Sequence, residues 1–299
     1  MVSLKQLNYA LAVSKTLHFK RAADACFISP STLSNALTEM EKQLGIQIFE
    51  RDNKKVLITE LGKQVLEKAQ TIMLQVDDIE HLAETQQAPL SRPMSIGIIP
   101  TIAPYLLPII LPAINRQYPA LQLTIIEGQS EVLVGQVKRG EIDTAILALP
   151  YDLEGLLTFT FWQEDFYWIS HKDHHLAGRD HISAGELDQA ELMLLQDGHC
   201  LKDQILDTCM ISSSSYHSVS AASLETLIQL VVGKMGSTLV PQMALATLMG
   251  ANESLCNVHL SEPGPHRELA MIMRPTYAGV HNIELLKALF NSQLSMRFS

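Results

Sequence analysis

Apolar residues recur every three or four positions through the first sixty residues, a period that predicts helices. Leu4, Leu7, Leu11 and Val13 form one apolar face, and Phe19, Ala22, Ala23 and Cys26 form a second. Ser29-Pro30 reads as a helix start, with serine as N-cap and proline at the first helical position. The helix it opens carries Leu33, Leu37, Met40 and Leu44 and stops at Gly45. Two short helices, a tight turn at Ile28-Ser29 and a third amphipathic helix make a helix-turn-helix pattern. Ile46–Phe49 and Lys55–Ile58 then predict a small β-wing with Arg51, Lys54 and Lys55 at its tip.

From Thr59-Glu60 a longer helix follows, to about Glu84. Leu61, Val65, Ala69, Ile72, Val76, Ile79 and Leu82 line it at steps of three or four on an otherwise polar surface. Such a stripe fits a coiled-coil seam better than a core helix, and it predicts a dimerisation linker. Thr85 to Pro93 is polar, holds two prolines and reads as a hinge.

Beyond the hinge the pattern alternates between strand and helix. Met94–Ile99, Leu121–Glu127 and Thr144–Ala148 read as strands, with helices at Ala103–Arg116 and Ser130–Arg139 between them. This β-α-β-α-β order predicts a parallel sheet with crossover helices. A second set follows: strands near Thr158–Phe161, Phe166–Ser170, Leu192–Leu195, His217–Val219 and Ser237–Val240, with a helix at Leu224–Val232. A strand at Glu268–Met273 and an amphipathic helix at His281–Phe290 end the chain. The fold class is therefore α/β, with two similar halves and a cleft between them. The expected divisions are residues 1–60 for the winged helix-turn-helix pattern, 61–90 for the linker helix and hinge, and 91–299 for the α/β part. The last divides into 91–162 with 268–299, and 163–267.

Charge changes the picture. The chain of 299 residues carries a net charge of −10, which argues against nucleic acid until it is divided. Residues 1–63 hold 9 Lys and Arg against 6 Asp and Glu, a net of +3, whereas residues 64–299 hold 13 against 26, a net of −13. A small basic module on an acidic body can approach phosphate through one end only. The most apolar stretch, Ile102 to Ile114, is shorter than the roughly 20 residues of a membrane span and contains three prolines. With no basic, apolar leader at the start, a cytoplasmic protein with no membrane partner is expected.

Residue by residue, the run "FKRAADACFISPSTLSNALTEMEKQLGIQIFERDNKKVLITELG" resembles the LysR-type transcription regulators. The resemblance implies a winged helix-turn-helix, a linker-helix dimer and a two-subdomain effector domain like periplasmic binding proteins. It also implies assembly as a homodimer or homotetramer on double-stranded promoter DNA, with RNA polymerase as a further partner. The groove-facing candidates are Ser31, Thr32, Ser34, Asn35 and Thr38, since Ser and Thr make adaptable base contacts and Asn can pair with adenine. Few basic groups lie on that helix, so phosphate anchoring falls to Lys5, Lys20, Arg21, Arg51, Lys54 and Lys55.

The middle of the chain narrows the resemblance. Gly198-His199-Cys200-Leu201, Asp203-Gln204 and Cys209, with "SVSAASLETL" and Arg267, are similar to the OxyR peroxide sensors of that family. This resemblance implies hydrogen peroxide as signal, Cys200 as the peroxide-reactive thiol and Cys209 as its resolving partner. It carries over Thr101 and Ser130 as hydroxyl partners for peroxide, His199 and Asp203 as orienting and proton-relay groups, and Arg267 as a nearby cation. Two positions depart from the pattern: Ser130 stands where threonine is usual, and Lys202 where arginine is usual.

Cys200 falls at an expected helix start, where exposed N–H groups favour a thiolate and would draw the pKa down. Nine residues of unbroken helix would hold Cys200 and Cys209 about 13 Å apart, whereas a disulfide tolerates at most about 7 Å between Cα atoms. Oxidation would thus require local unfolding, which makes the bond a switch. Cys26 and Cys256 sit in apolar neighbourhoods. The spacing C-x8-C does not suit zinc, so no metal and no cofactor is expected. Two rivals stand: a LysR-type regulator gated by a small organic ligand in the cleft, and a thiol enzyme such as a peroxidase. The DNA-binding module argues against the second, and no enzyme is expected.

Overall fold

The computed structural model describes residues 1–52, 55–84, 89–187, 190–210, 219–250 and 252–298. The chain divides into two compact units, Met1–Gln86 and Gln87–Ser299.

In the first unit, α1 (Leu4–Thr16), α2 (Phe19–Ala25) and α3 (Pro30–Leu44) precede a hairpin of β1 (Phe49–Asp52) and β2 (Lys55–Ile58) and the helix α4 (Glu60–Glu84). Local chemistry fixes each boundary. Ser3 and Gln6 form a reciprocal capping box at α1. Ser29 Oγ accepts from the Thr32 amide at α3, and Gly45 closes that helix at φ +65. Leu33, Leu37 and Met40 of α3 are buried with Ala10, Val13, Ala22, Ala23 and Phe49 in one small core. The antiparallel pairing runs from Phe49 opposite Ile58 to Asp52 opposite Lys55. On α4, Ala69 is buried, whereas Leu61, Ile72 and Ile79 face solvent.

The second unit holds two main sheets. The first contains β3 (Met94–Ile98), β4 (Leu123–Glu127), β5 (Thr144–Leu149), β6 (Leu157–Glu164) and, from the end of the chain, β13 (Arg267–Met273). Its order is β4-β3-β5-β13-β6. β3 pairs in parallel with β4 and β5, as the alternating pattern predicts, while β13 runs antiparallel to β5 and β6. Both faces of β3 and β5 are covered, which explains their nearly unbroken apolar runs. The covering helices include α5 (Ala103–Gln117) and α6 (Ser130–Lys138).

The second sheet contains β7 (Phe166–His171), β8 (His181–Ile182), β11 (Thr238–Pro241) and β12 (Leu255–Leu260), in the order β11-β7-β12-β8. Around it lie α7 (Ala184–Leu187), the parallel pair β9 (Leu194–Leu195) and β10 (Ser220–Ala221), α8 (Cys200–Cys209), α9 (Leu224–Val232) and α10 (Gln242–Met249). α11 (Val280–Phe298) ends the chain. β8, β12, α7 and α10 were not anticipated. The strand expected at Thr158–Phe161 belongs to the first sheet rather than the second set, because β13 returns between β5 and β6 and pairs with both. The strand expected at His217–Val219 lies largely outside the described residues, as do Lys54, the side chain of Arg51 and part of the hinge. No helix among the described residues is long and apolar enough to cross a membrane.

The chain passes between the two sheets after β6 and again before β13. There Glu164 and Arg267 stand opposite one another in register.

Candidate functional site

α8 begins at Cys200, with His199 as its N-cap residue in extended backbone and no side-chain cap bond. Leu201, Gln204, Ile205 and Cys209 share its buried face, which docks the helix on the core. Gly198 supports the approach to this helix. Its φ is +91, and a Cβ there would sit 2.8 Å from the Gln129 side chain, so a left-handed turn and close packing against the α6 N-cap both require glycine. Gly97 of β3 admits α6 from the other side, since a Cβ would meet Leu133 at 2.7 Å. Ser130, the first residue of α6, is thereby brought to the thiol.

The thiol of Cys200 is buried, and burial pushes its pKa up. Ser130, the Arg267 guanidinium and the Ala148 backbone amide oppose that rise, while Asp203 adds to it. This corrects the expectation of a lowered pKa: loss of water outweighs Ser130, the Arg267 cation and the Ala148 amide together. Ser130 Oγ is close enough to favour the thiolate, yet it makes no hydrogen bond of full geometry.

Arg267 is wholly buried. Its Nε donates to Glu164 Oε1 at 2.8 Å, its Nη2 lies 2.7 Å from the same oxygen, and Nη2 also approaches the Thr101 carbonyl at 3.4 Å. Three polar atoms of this neighbourhood are buried without a partner: Thr101 Oγ1, Ser130 Oγ and Arg267 Nη1. Buried polar groups are normally satisfied, so two hydroxyls and one guanidinium N–H with spare capacity mark a place for a small polar guest.

The remaining candidates divide. His199 is half-buried, and burial holds its pKa down. Asp203 is exposed on α8 and acts on Cys200 only as an unfavourable charge. Lys202, its side chain largely buried, makes an ion pair with the exposed Asp197 at 2.6 Å. Cys209, at the far end of α8, is buried, and burial with the nearby Glu262 carboxylate pushes its thiol up to about 12. All four cysteines are free thiols.

In the first unit Ser31, Thr32, Asn35 and Thr38 of α3 are exposed and Ser34 is half-buried. Ser29 Oγ lies 2.9 Å from Ser31 Oγ and 2.8 Å from Thr32 Oγ1, linking three hydroxyls. Lys5, Lys20, Arg21 and Lys55 are exposed. Sequence reasoning missed Glu41, whose Oε1 accepts from the Ile48 and Phe49 amides at 2.8 and 3.0 Å and ties α3 to the wing.

Residues 4–63 match the bacterial regulatory helix-turn-helix protein, lysR family, and residues 87–294 match the LysR substrate binding domain. The chain belongs to the LysR family. LysR-family members are DNA-binding transcription regulators. Over 275 residues the chain is 34% identical to a hydrogen peroxide-inducible genes activator of Dickeya chrysanthemi, covering 92% of this chain and 90% of the relative. Over 274 residues it is 38% identical to the HTH-type transcriptional regulator EstR of Acinetobacter baylyi, covering 91% and 90%. Among solved structures, a full-length OxyR from Pseudomonas aeruginosa aligns with a TM-score of 0.82 at 31% identity, covering 97% of this chain and 98% of that one. Identity alone does not separate a peroxide-inducible relative from EstR; the chemistry around Cys200 bears on that choice.

Proposed function

We propose that this LysR-family regulator senses hydrogen peroxide through Cys200 and switches by forming a Cys200–Cys209 disulfide. The observation that carries the reading is the unsatisfied polar set at the thiol: Thr101 Oγ1, Ser130 Oγ and Arg267 Nη1 are all buried and unpartnered. A peroxide molecule both donates and accepts hydrogen bonds, and it is small enough for such a place. The Cys200 thiolate attacks one peroxide oxygen and the O–O bond breaks. Sulfenic acid forms on sulfur, and hydroxide leaves with a proton from the pocket as water. The Cys209 thiol then attacks the Cys200 sulfur, expelling a second water and closing the disulfide. Each protein molecule consumes one peroxide per switching event, so the chain is a reagent in its own signal and not a catalyst.

The relatives named for peroxide induction and OxyR support this reading. The exposed stripe of Leu61, Ile72 and Ile79 on α4 supports assembly of the regulator as a homodimer or homotetramer. In this proposal the regulatory part divides into 91–162 with 268–299, and 163–267; the oxidised form acts on promoter DNA and RNA polymerase in the cytoplasm.

The deciding experiment compares wild type with Cys200→Ser and Cys209→Ser on duplexes that the wild type selects from a random-sequence pool. Peroxide is expected to link Cys200 to Cys209 in tryptic peptides and to change the wild-type footprint, with both variants losing the change. A Cys200→Ser protein that still responds to peroxide would sink the proposal.

A second reading, a regulator gated by a small organic ligand, draws on a cleft of about 550 Å³ lined in part by Tyr151, Thr158, His266 and Arg267, and on the identity to EstR. It requires ligand-dependent footprints that both cysteine variants retain.

A further inference from the structure

Glu164 ends β6, immediately before the chain leaves the first sheet, and Arg267 opens β13, where the chain returns. Neither side chain has any exposed surface. Both carboxylate oxygens of Glu164 are in use. Oε1 takes the Nε and Nη2 atoms of Arg267 at 2.8 and 2.7 Å, and Oε2 accepts from the Met243 amide at 2.7 Å in the first turn of α10. Held by donors from two elements, the carboxylate cannot swing away, and it fixes the plane of the guanidinium.

A second effect is electrostatic. A buried cation beside a thiol would favour the thiolate strongly, because low polarity magnifies charge. Here an opposite charge sits on the same guanidinium, so Cys200 meets a short dipole instead of an isolated cation. The other groups facing Cys200 are few. They are Ser130 from α6, Asp203 from its own helix, the Ala148 amide of β5, and Tyr151 beyond β5, with His199 adjoining in the chain. None of them supplies a second positive charge; Arg267 favours the thiolate, while burial, the larger influence, pushes the thiol pKa up.

We propose that Glu164 is a positioning residue for the peroxide-reactive thiol: it fixes Arg267 beside Cys200 while withholding most of that cation's charge, and so sets how readily Cys200 reacts. The proposal rests on the reading of Cys200 as the reactive thiol. It makes the crossing between the two sheets the place where sensitivity is set, because both members of the ion pair sit on crossing strands.

The test is the pH profile of Cys200 alkylation by iodoacetamide, followed by peptide mass in the full chain carrying Cys209→Ser. Glu164→Gln keeps the shape and removes the charge. It is expected to shift the midpoint down by about one pH unit and to raise the rate at pH 7 about tenfold. Glu164→Asp, which keeps the charge, is expected to restore the original midpoint. An unchanged or raised midpoint in a Glu164→Gln protein with native near-UV circular dichroism overturns the proposal. If that variant fails to fold, the neutral pair Glu164→Gln with Arg267→Gln replaces it. Compared with Arg267→Gln alone, its alkylation midpoint is expected about one pH unit lower, and an equal or higher midpoint overturns the proposal. Alkylation needs no peroxide. A wild type that forms no disulfide with peroxide therefore defeats the sensor reading while leaving the thiol titration to judge Glu164.

Discussion

Cys200 and Cys209 occupy the first and last positions of one helix, both on its buried face. Ten helical residues separate their Cα atoms by about 13 Å, roughly twice what a disulfide spans. For the proposed disulfide to close, α8 must unwind first, and its stability becomes a rate-determining quantity. Met210 ends the helix in the left-handed region at φ +50, a conformation that costs an L side chain about 1 kcal/mol. Met210→Gly should remove that cost, stabilise α8 and slow disulfide formation about fivefold. Stopped-flow measurement should show sulfenic acid forming at the wild-type rate and persisting longer. Equal closure rates in both proteins would count against unwinding as the slow step.

Thr101 Oγ1 is buried without a partner, and Ser130 Oγ makes no hydrogen bond of full geometry. Thr101→Val should therefore leave the fold at least as stable as wild type, gaining up to about 1 kcal/mol by removing a buried unsatisfied group. Oxidation of Cys200 by peroxide should nevertheless fall at least about tenfold, the equivalent of one lost hydrogen bond to the reacting guest. Thermal melting and dimedone trapping together check the pair of effects. A loss of stability with no loss of rate would contradict the assignment.

Cys209 titrates in the opposite sense to a paired carboxylate. Burial raises its folded pKa from 9.0 to about 12, so the fold favours the neutral thiol. Its contribution to stability is fully present below pH 9 and is lost as pH rises towards 12. Wild type should accordingly lose stability between these values more steeply than Cys209→Ser, as followed by urea midpoints at a series of alkaline pH values. Parallel slopes in the two proteins would refute it.

Glu41 accepts two backbone amides from the start of the wing. Glu41→Ala strands both, and hydrogen bonds to a charged group contribute about 1.5–3 kcal/mol each. The variant should melt lower and bind duplex DNA more weakly, most of all where the wing meets phosphate. Fluorescence anisotropy against a selected duplex reads the second effect, and unaltered affinity would remove the wing from the interface.

The N-terminal elements were legible because their boundaries are set by neighbours in the chain: Ser29 with Thr32, Pro30, and Gly45 at φ +65. The parallel core of β3, β4 and β5 was legible from apolar runs. β12 also carries a strand signal, since Asn257 and His259 alternate with apolar residues ahead of Pro263-Gly264-Pro265; what the sequence hides is its pairing with β7. Glu41 and Glu164 were unreadable for a similar reason. Each acts on backbone or side chains that only the tertiary fold brings near, and in the case of Glu164 the partner is 103 residues away. The direction of the Cys200 pKa failed likewise, since a helix start can be read from spacing but its burial cannot.

The three hydroxyls of Ser29, Ser31 and Thr32 meet on one shared oxygen at the tip of α3. Either member of each contact can be the donor, but Ser29 carries one proton and can donate to only one of its two neighbours. The hydroxyl that receives the Ser29 proton keeps its own proton free, so the outward donor is either Ser31 or Thr32. On the expectation that α3 faces a DNA groove, its first turn can thus offer a donor from either of two positions.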